Sequence, residues 1–274
     1  MVAVSISVLA FALTTQAVRA ESLVPRSHHA WGRFPVGSWK QVRVHNETLD
    51  AKGNVVDAST TETVTVLTAV DETGYTLEVD VTLEVAGKRF ILQPQIMHQG
   101  FSGETNGQRA ELRPVHMATV VIDGREIPTE VRESVVDDDE CQRVNRVYYS
   151  ASVEPYVLKR ETTCTGANGE KTTSQTQVDV LALDMPVRLL NETMTSSHVK
   201  TVQKSAKGTA ITLEICCMEV PGGVVYHTAK ELDSEGRVVR RGTLEIVDYS
   251  IGGDDNSGSG RGRRHRDRPR RRDR

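Results

Sequence analysis

Aromatic residues are scarce, at 4% of the 274 positions, so the chain has little material for the broad stacking platforms that hold sugar rings or bases. Helical periodicity is almost missing. No apolar run approaches the roughly 20 residues needed to span a bilayer as a helix. Nothing pairs a nucleophile with a base: Gly100-Phe101-Ser102-Gly103 lacks the spacing of a nucleophile elbow and has no strand-to-helix context. His198 and His227 fall on separate strand-like runs with no partner brought near either, and His28-His29 offers at most adventitious metal binding near the terminus. Asp137-Asp138-Asp139-Glu140 has the carboxylates for Ca²⁺ but neither the turn glycine nor the distal bidentate Glu, and reads as a solvated bend. Composition and motifs together predict no cofactor, no metal and no enzymatic activity.

What is present is alternation. Tyr75, Leu77, Val79, Val81, Leu83 and Val85 alternate without a break against Thr76, Glu78, Asp80, Thr82 and Glu84. Such a period of two marks a strand buried on one face and wet on the other. Ile211, Leu213, Ile215 and Cys217 repeat the pattern against Thr212, Glu214 and Cys216, which sends Cys217 to the core and Cys216 to the polar face. Further alternating runs cover 38–48, 55–69, 88–96, 116–123, 125–135, 142–150, 156–164, 172–183, 197–204, 223–232 and 237–248. Glycine-bearing turns separate them. Asp123-Gly124 is the sharpest hairpin signal. Connections this short require antiparallel neighbours.

The expected fold is therefore all-β: one strongly curved antiparallel sheet or incomplete barrel of roughly ten to twelve strands, with a two-sheet sandwich as the alternative. Residues 32–250 form this single domain. Asp184 to Leu190 is the one short helix expected, with Asp184 as N-cap and Pro186 in the first turn. His98 to Pro114 is the longest expected loop. An internal repeat joins Pro35-Val36-Gly37 and its turn Asp50-x-x-Gly53-x-Val55-Val56 to Pro221-Gly222-Gly223 and Asp233-x-x-Gly236-x-Val238-Val239. A weaker copy begins at Pro155 and turns at Asn168-Gly169.

The N-terminus carries an export signal. Val2 to Leu13 is apolar apart from Ser5 and Ser7, the length of a signal-peptide core, and Val18-Arg19-Ala20 offers a small residue at the cleavage point. Residues 1–20 are assigned to that signal, although the positive n-region is missing. Residues 21–31 are expected to be flexible; Leu23-Val24-Pro25-Arg26-Ser27 looks like a thrombin site, by coincidence. Export places the protein in the periplasm, cell envelope or medium, and permits disulfides. If 142–150 and 155–164 form a hairpin, Cys141 falls directly opposite Cys164, which predicts a cross-strand bond between them. Asn46-Glu47-Thr48 and Asn191-Glu192-Thr193 are glycosylation acceptors if the host glycosylates exported chains.

The overall charge of −3 hides an asymmetry. Residues 261–274 hold Arg261, Arg263, Arg264, Arg266, Arg268, Arg270, Arg271, Arg272 and Arg274 against Asp267 and Asp273, leaving 25 basic and 35 acidic side chains in residues 1–260. The nine arginines, beyond a Gly/Ser linker over 251–260, form a tail expected to be disordered and suited to an anionic envelope polymer. Export makes nucleic acid a poor partner.

Pro35-Val36-Gly37-Ser38-Trp39, the segment Val121 to Pro128, and Tyr148-Tyr149 followed by Pro155-Tyr156-Val157-Leu158-Lys159 are similar to uncharacterised exported bacterial β-sheet proteins. More distantly, they resemble the lipoprotein-carrier (Lol-type) half-barrel envelope proteins. That resemblance implies a curled antiparallel sheet whose concave apolar face takes a lipid beneath short helices. The sequence departs from it in having almost no helix to act as a lid, and no lipid-contacting residue is carried over. The function so implied is a non-enzymatic envelope protein that binds a lipid or other apolar ligand on its concave face. The alternative is a structural or surface-interaction protein working through the tail.

Overall fold

The computed structural model describes residues 22–104, 110–137, 141–166 and 172–252. A 3-10 turn at Arg26–His28 precedes fourteen strands. These are β1 Trp39–Leu49, β2 Val55–Val70, β3 Gly74–Val85, β4 Lys88–Ile91, β5 Gln95–Gly100, β6 Glu111–Ile122 and β7 Arg125–Asp137, then β8 Cys141–Tyr149, β9 Val157–Gly166, β10 Thr172–Leu189, β11 Glu192–Ser205, β12 Gly208–Cys216, β13 Val224–Leu232 and β14 Val238–Ser250. All belong to one antiparallel sheet. Its order runs β4-β3-β2-β1-β14-β13-β12-β11-β10-β9-β8-β7-β6, with β5 also on β3. The chain is thus a meander whose last strand pairs with its first.

The sheet curls into an incomplete barrel. Ser102, just past β5 at one end of the strand order, presents its carbonyl to Ser134 Oγ on β7, next to the other end, at 3.1 Å. Yet no ladder joins β4 or β5 to β6 among the described residues. Eight strands enclose an interior that side chains can just fill, and more strands leave a lumen. A curl of this size therefore needs something inside it, or stays wet.

Register fixes which face lines that lumen. Directly opposed residues share a face. Leu77 opposes Leu67; Val42 lies on the same face two residues past Lys40, which opposes Thr65. Farther round, Leu244, His227, Glu214, Val199 and Val180 oppose one another in turn, and Val178, Arg160, Val147 and Arg132 do the same. Leu67, Leu77, Val42, Val199, Val180 and Val147 are all buried, which marks this as the concave face.

Several expectations need correction. Asp184 to Leu190 is not a helix but the far half of β10. Asp184 takes φ 55 at a bulge, and residues beyond Asp179 have no β9 partner, so Pro186 sits where a missing N–H is tolerated. The 98–114 loop shrinks because β5 and β6 take its ends. Cys217 is buried in the core as expected, but on β12 itself the faces are reversed: Glu214 and Cys216 line the concavity, while Leu213 is 49% exposed on the outside. Asp123-Gly124 does form a two-residue hairpin, with φ of 51 and 73, as a type I′ turn requires. Its tip folds over the sheet, packing Ile122 and Ile127 on Leu158, Val180, Leu183 and Val199. The turns of the proposed repeat share one geometry: Asp50 Oδ1 accepts from Lys52 N and Asn54 N, and Asp233 Oδ1 from Glu235 N and Arg237 N. The Asn168-Gly169 turn lies outside the described residues.

Candidate functional site

The segment expected to be flexible is a clasp. Residues 22–34 cross one end of the lumen and touch both sides of the gap. Trp31 and Phe34 pack with Leu67, Tyr75, Leu77 and Phe101, on the β2–β5 side. Leu23 and Val24 pack on Val147 of β8. Polar contacts follow the same route. Leu23 N donates to Ser102 Oγ at 3.0 Å, and Arg132 Nη1 donates to the carbonyls of Ser22 and Leu23. The His28 ring stacks on Tyr156 at 4.0 Å, with Nδ1 2.6 Å from Tyr149 Oη. Gly222 N donates to Ala30 O at 2.9 Å. Gly222, at φ +74, lies so close to the Trp31 indole that a Cβ would come within 2.7 Å of it. Gly222→Ala is therefore expected to destabilise by about 1–3 kcal/mol through overpacking and a left-handed backbone. A melt within 0.5 kcal/mol (roughly the surface-substitution range) would refute this.

Below the clasp runs a polar ladder. Thr162 Oγ1 donates to Asn145 Oδ1, Asn145 Nδ2 reaches Ser134 Oγ, and Ser134 Oγ donates to Ser102 O. Ser102 N in turn donates to Glu104 Oε2. The buried serine of the supposed elbow is thus a structural joint between the two sides of the gap, its Oγ accepting from Leu23 N.

Beside this ladder lies a cavity of about 200 Å³, whose lining includes His29, Tyr75, Gln99, Phe101, Asn145 and Arg160. Tyr75 Oη donates to Gln99 Oε1 at 2.5 Å, and burial pushes its phenol up to about 12. His29 Nδ1 accepts from Trp31 N and Gly32 N, which puts the ring proton on Nε2. Burial, helped by Arg160, holds His29 down to about 4. Arg160, exposed on the concave face, lines the same cavity.

A second group of charges lies farther round the concave face. Lys40 donates to Val224 O at 3.2 Å and lies 5.8 Å from the Trp31 ring centroid. Burial pulls Lys40 down to about 8, against smaller opposing effects of Cys216 and Glu214. Burial raises the Glu214 carboxyl, and pushes the Cys216 thiol up to about 12. Such a thiol is a poor nucleophile. His227, directly opposite Glu214, is held below its ordinary value by burial. For a depressed lysine the sign is fixed: the folded state disfavours the proton, so the penalty is full below pH 8 and fades as pH rises toward 10.5. Lys40 should contribute a rise on the order of 2 kcal/mol across that window, after discounting for the solvent it retains. Lys40→Met should remove that contribution in chemical denaturation, leaving the opposite slope of the raised Cys216 and Tyr75 groups. An unchanged slope refutes the assignment.

The remaining sequence-derived candidates fall as follows. Cys141 and Cys164 are bonded, with Cα atoms 5.8 Å apart. They are diagonal and not opposed: Cys141 faces Gly166 and Cys164 faces Arg143, because a register shift at Tyr148/Tyr149 moves the pairing. Cys216 is half-buried and Cys217 buried, both free. The arginines from Arg261 to Arg274 lie outside the described residues, as do Asp138 to Glu140. Among the described residues no group of three His, Cys, Asp or Glu is placed to hold a metal. Likewise, none of their helices is long and apolar enough to cross a membrane. Sequence reasoning missed Lys40, Glu214 and Arg160, since a charged residue in an alternating strand reads as solvent-facing.

No family model and no curated protein matches the chain. Among solved structures, it is similar to a putative exported protein with YmcC-like fold from Bacteroides fragilis, at 10% identity over 78% of this chain and 98% of that one, TM-score 0.32. It is also similar to a putative lipoprotein from Parabacteroides distasonis, at 12% identity over 79% and 97%, TM-score 0.30. The Lol-type resemblance gains nothing from them.

Proposed function

We propose that this is an exported, non-enzymatic envelope protein whose curled sheet holds a polar ligand in its lumen. The observation that carries the reading is the chemistry of the concave face. Away from the clasp it presents Asn46, Thr48, Asp57, Ser59, Glu231 and Arg240 around an open cleft, and register adds Thr63, Thr65, Thr162, Thr176, Thr201 and Thr212. A lumen for acyl chains would be lined by apolar side chains with few polar groups. The bonded cysteines support export, because such bonds persist in oxidising compartments. The apolar-ligand reading loses its trough, since the clasp fills the apolar end with the protein's own Trp31, Phe34 and Leu23.

Fractionation of producing cells, followed by native mass spectrometry of the purified protein, tests both halves. The expected result is envelope or periplasmic protein with Cys141 and Cys164 oxidised and no acyl lipid attached. Cytosolic protein with reduced thiols would sink export; a stoichiometric acyl lipid would sink the polar lumen. A second reading rests on the nine arginines of the tail, which suit an envelope polyanion. Deleting 261–274 should then abolish salt-sensitive retention on cell envelopes, and unchanged retention would reject that reading.

A further inference from the structure

We infer that the cavity under the clasp is an oxyanion site, with Arg160 as the residue that reads the anion. The inference rests on the polar-lumen reading and deepens it. Three observations converge.

The first is an uncompensated cation. Arg160 stands on the concave face between Val147 and Val178, two side chains that offer it nothing polar. It makes no hydrogen bond or salt bridge to any described residue; the electrostatic neighbours are Tyr75 and His29, neither of them anionic at neutral pH. Its position contrasts with other arginines of the sheet. Arg43, Arg146, Arg240 and Arg241 each face a carboxylate. Its guanidinium is open to solvent and free of protein partners among the described residues, so its donor fork is available to an anion that enters the cavity.

The second is the donor inventory of the same cavity. Gln99 spends its carbonyl oxygen on Tyr75 Oη, which leaves its amide NH₂ for other use. His29 accepts through Nδ1, so Nε2 carries a proton. Asn145 is already committed to Thr162 and Ser134. Among the described lining residues the one carboxylate, Glu104, accepts from the N–H of Ser102. The Gln99 amide and His29 Nε2 are thus left as free donors beside Arg160.

The third is size. About 200 Å³ is below the range of drug-sized pockets but ample for a phosphate or a small phosphate ester. The guanidinium fork matches a phosphate through two parallel N–H···O bonds. The phosphate could belong to a free anion or to a lipid headgroup reaching in from the gap, and the test separates these.

Wild-type protein with its clasp and disulfide intact is titrated calorimetrically, in phosphate-free buffer at low ionic strength, with inorganic phosphate and with glycerol 3-phosphate. Flotation with phosphatidylcholine vesicles, with and without phosphatidic acid, covers the headgroup source. Saturable one-to-one binding of either soluble anion identifies a free anion; flotation only with phosphatidic acid identifies a headgroup. In both cases Arg160→Met should weaken binding roughly ten- to a hundredfold, the worth of a charge-assisted pair. If Arg160→Met does not fold, Arg160→Lys, which keeps the charge and loses the fork, should still bind measurably less. Absence of all binding by the wild type, or equal binding by wild type and Arg160 variants, overturns the inference. Neither result touches the location of the protein or the open polar end of the lumen, which the fractionation experiment reads separately.

Discussion

Trp31→Ala should lower the stability of the protein by about 3–5 kcal/mol, the cost of emptying a buried indole site. Trp31 is 8% exposed and packs in one cluster with Phe34, Leu67, Tyr75, Leu77 and Phe101. The hole would open on the side facing Gly222, which has no side chain to relax into it. For a domain of this size, each kcal/mol moves the melting temperature by roughly 2–4 °C, so a drop of roughly 10 °C is expected. The effect has a local signature too. Arg26 and Ser27 are exposed in the 3-10 turn of the clasp, so cleavage after Arg26 by a trypsin-like protease should accelerate well before global melting. A loss below about 1 kcal/mol would mean that the clasp is decoration and that the sheet holds its curl unaided.

Acid should act on the same element. His29 has a folded value of about 4 against an ordinary 6.5, so the unfolded chain takes the proton first. The stability that neutral His29 supports is complete above pH 6.5 and is lost as pH falls through 4. Protonation also removes the acceptor used by Trp31 N and Gly32 N. Proteolysis at Arg26 should therefore speed up on acidification across that window in wild-type protein, and His29→Gln should flatten the dependence. Identical pH profiles for the two would remove His29 from the clasp's energetics.

The difference between these elements and the ones legible from sequence has a physical basis. The β3 alternation is readable because one side of that strand meets the apolar clasp and the other meets water. On β12 the same period of two gives the wrong face. There the lumen is wider than side chains can fill, so the concave side is polar and Glu214 points in, while Leu213 is left outside. Period alone reports that two faces differ, not which is inside. The clasp escaped because Leu23 to Trp31 has no periodicity; its contacts are distant in sequence, from Leu67 on β2 to Arg132 and Val147 more than 100 residues away. Arg160 escaped for the same reason as Glu214. Short-range turn chemistry, by contrast, was readable residue by residue, as Asp50, Asp123 and Asp233 show.

The Cys141–Cys164 bond was legible in its pairing but not in its geometry, and its energetics follow from where it sits. It ties the start of β8 to the end of β9, the end of that hairpin farthest from the 150–156 turn. A separation of 23 residues predicts a loop-closure contribution of about 3 kcal/mol. Its location adds leverage, because β8 carries Val147 and Asn145, which receive the clasp and the polar ladder. Cys141→Ser with Cys164→Ser is therefore expected to lower stability by about 3 kcal/mol in urea, and to make the melt insensitive to added reductant. Wild-type protein should show the full reductant sensitivity, since Cys216 and Cys217 are already free and contribute none. A double variant as stable as the wild type would show that the hairpin ladder alone fixes β8 against β9. If the loss is as expected, protein made without its first 20 residues in a reducing cytosol should carry the same deficit and recover it on oxidation. The final stabilisation of the clasped sheet would then be acquired only in an oxidising compartment.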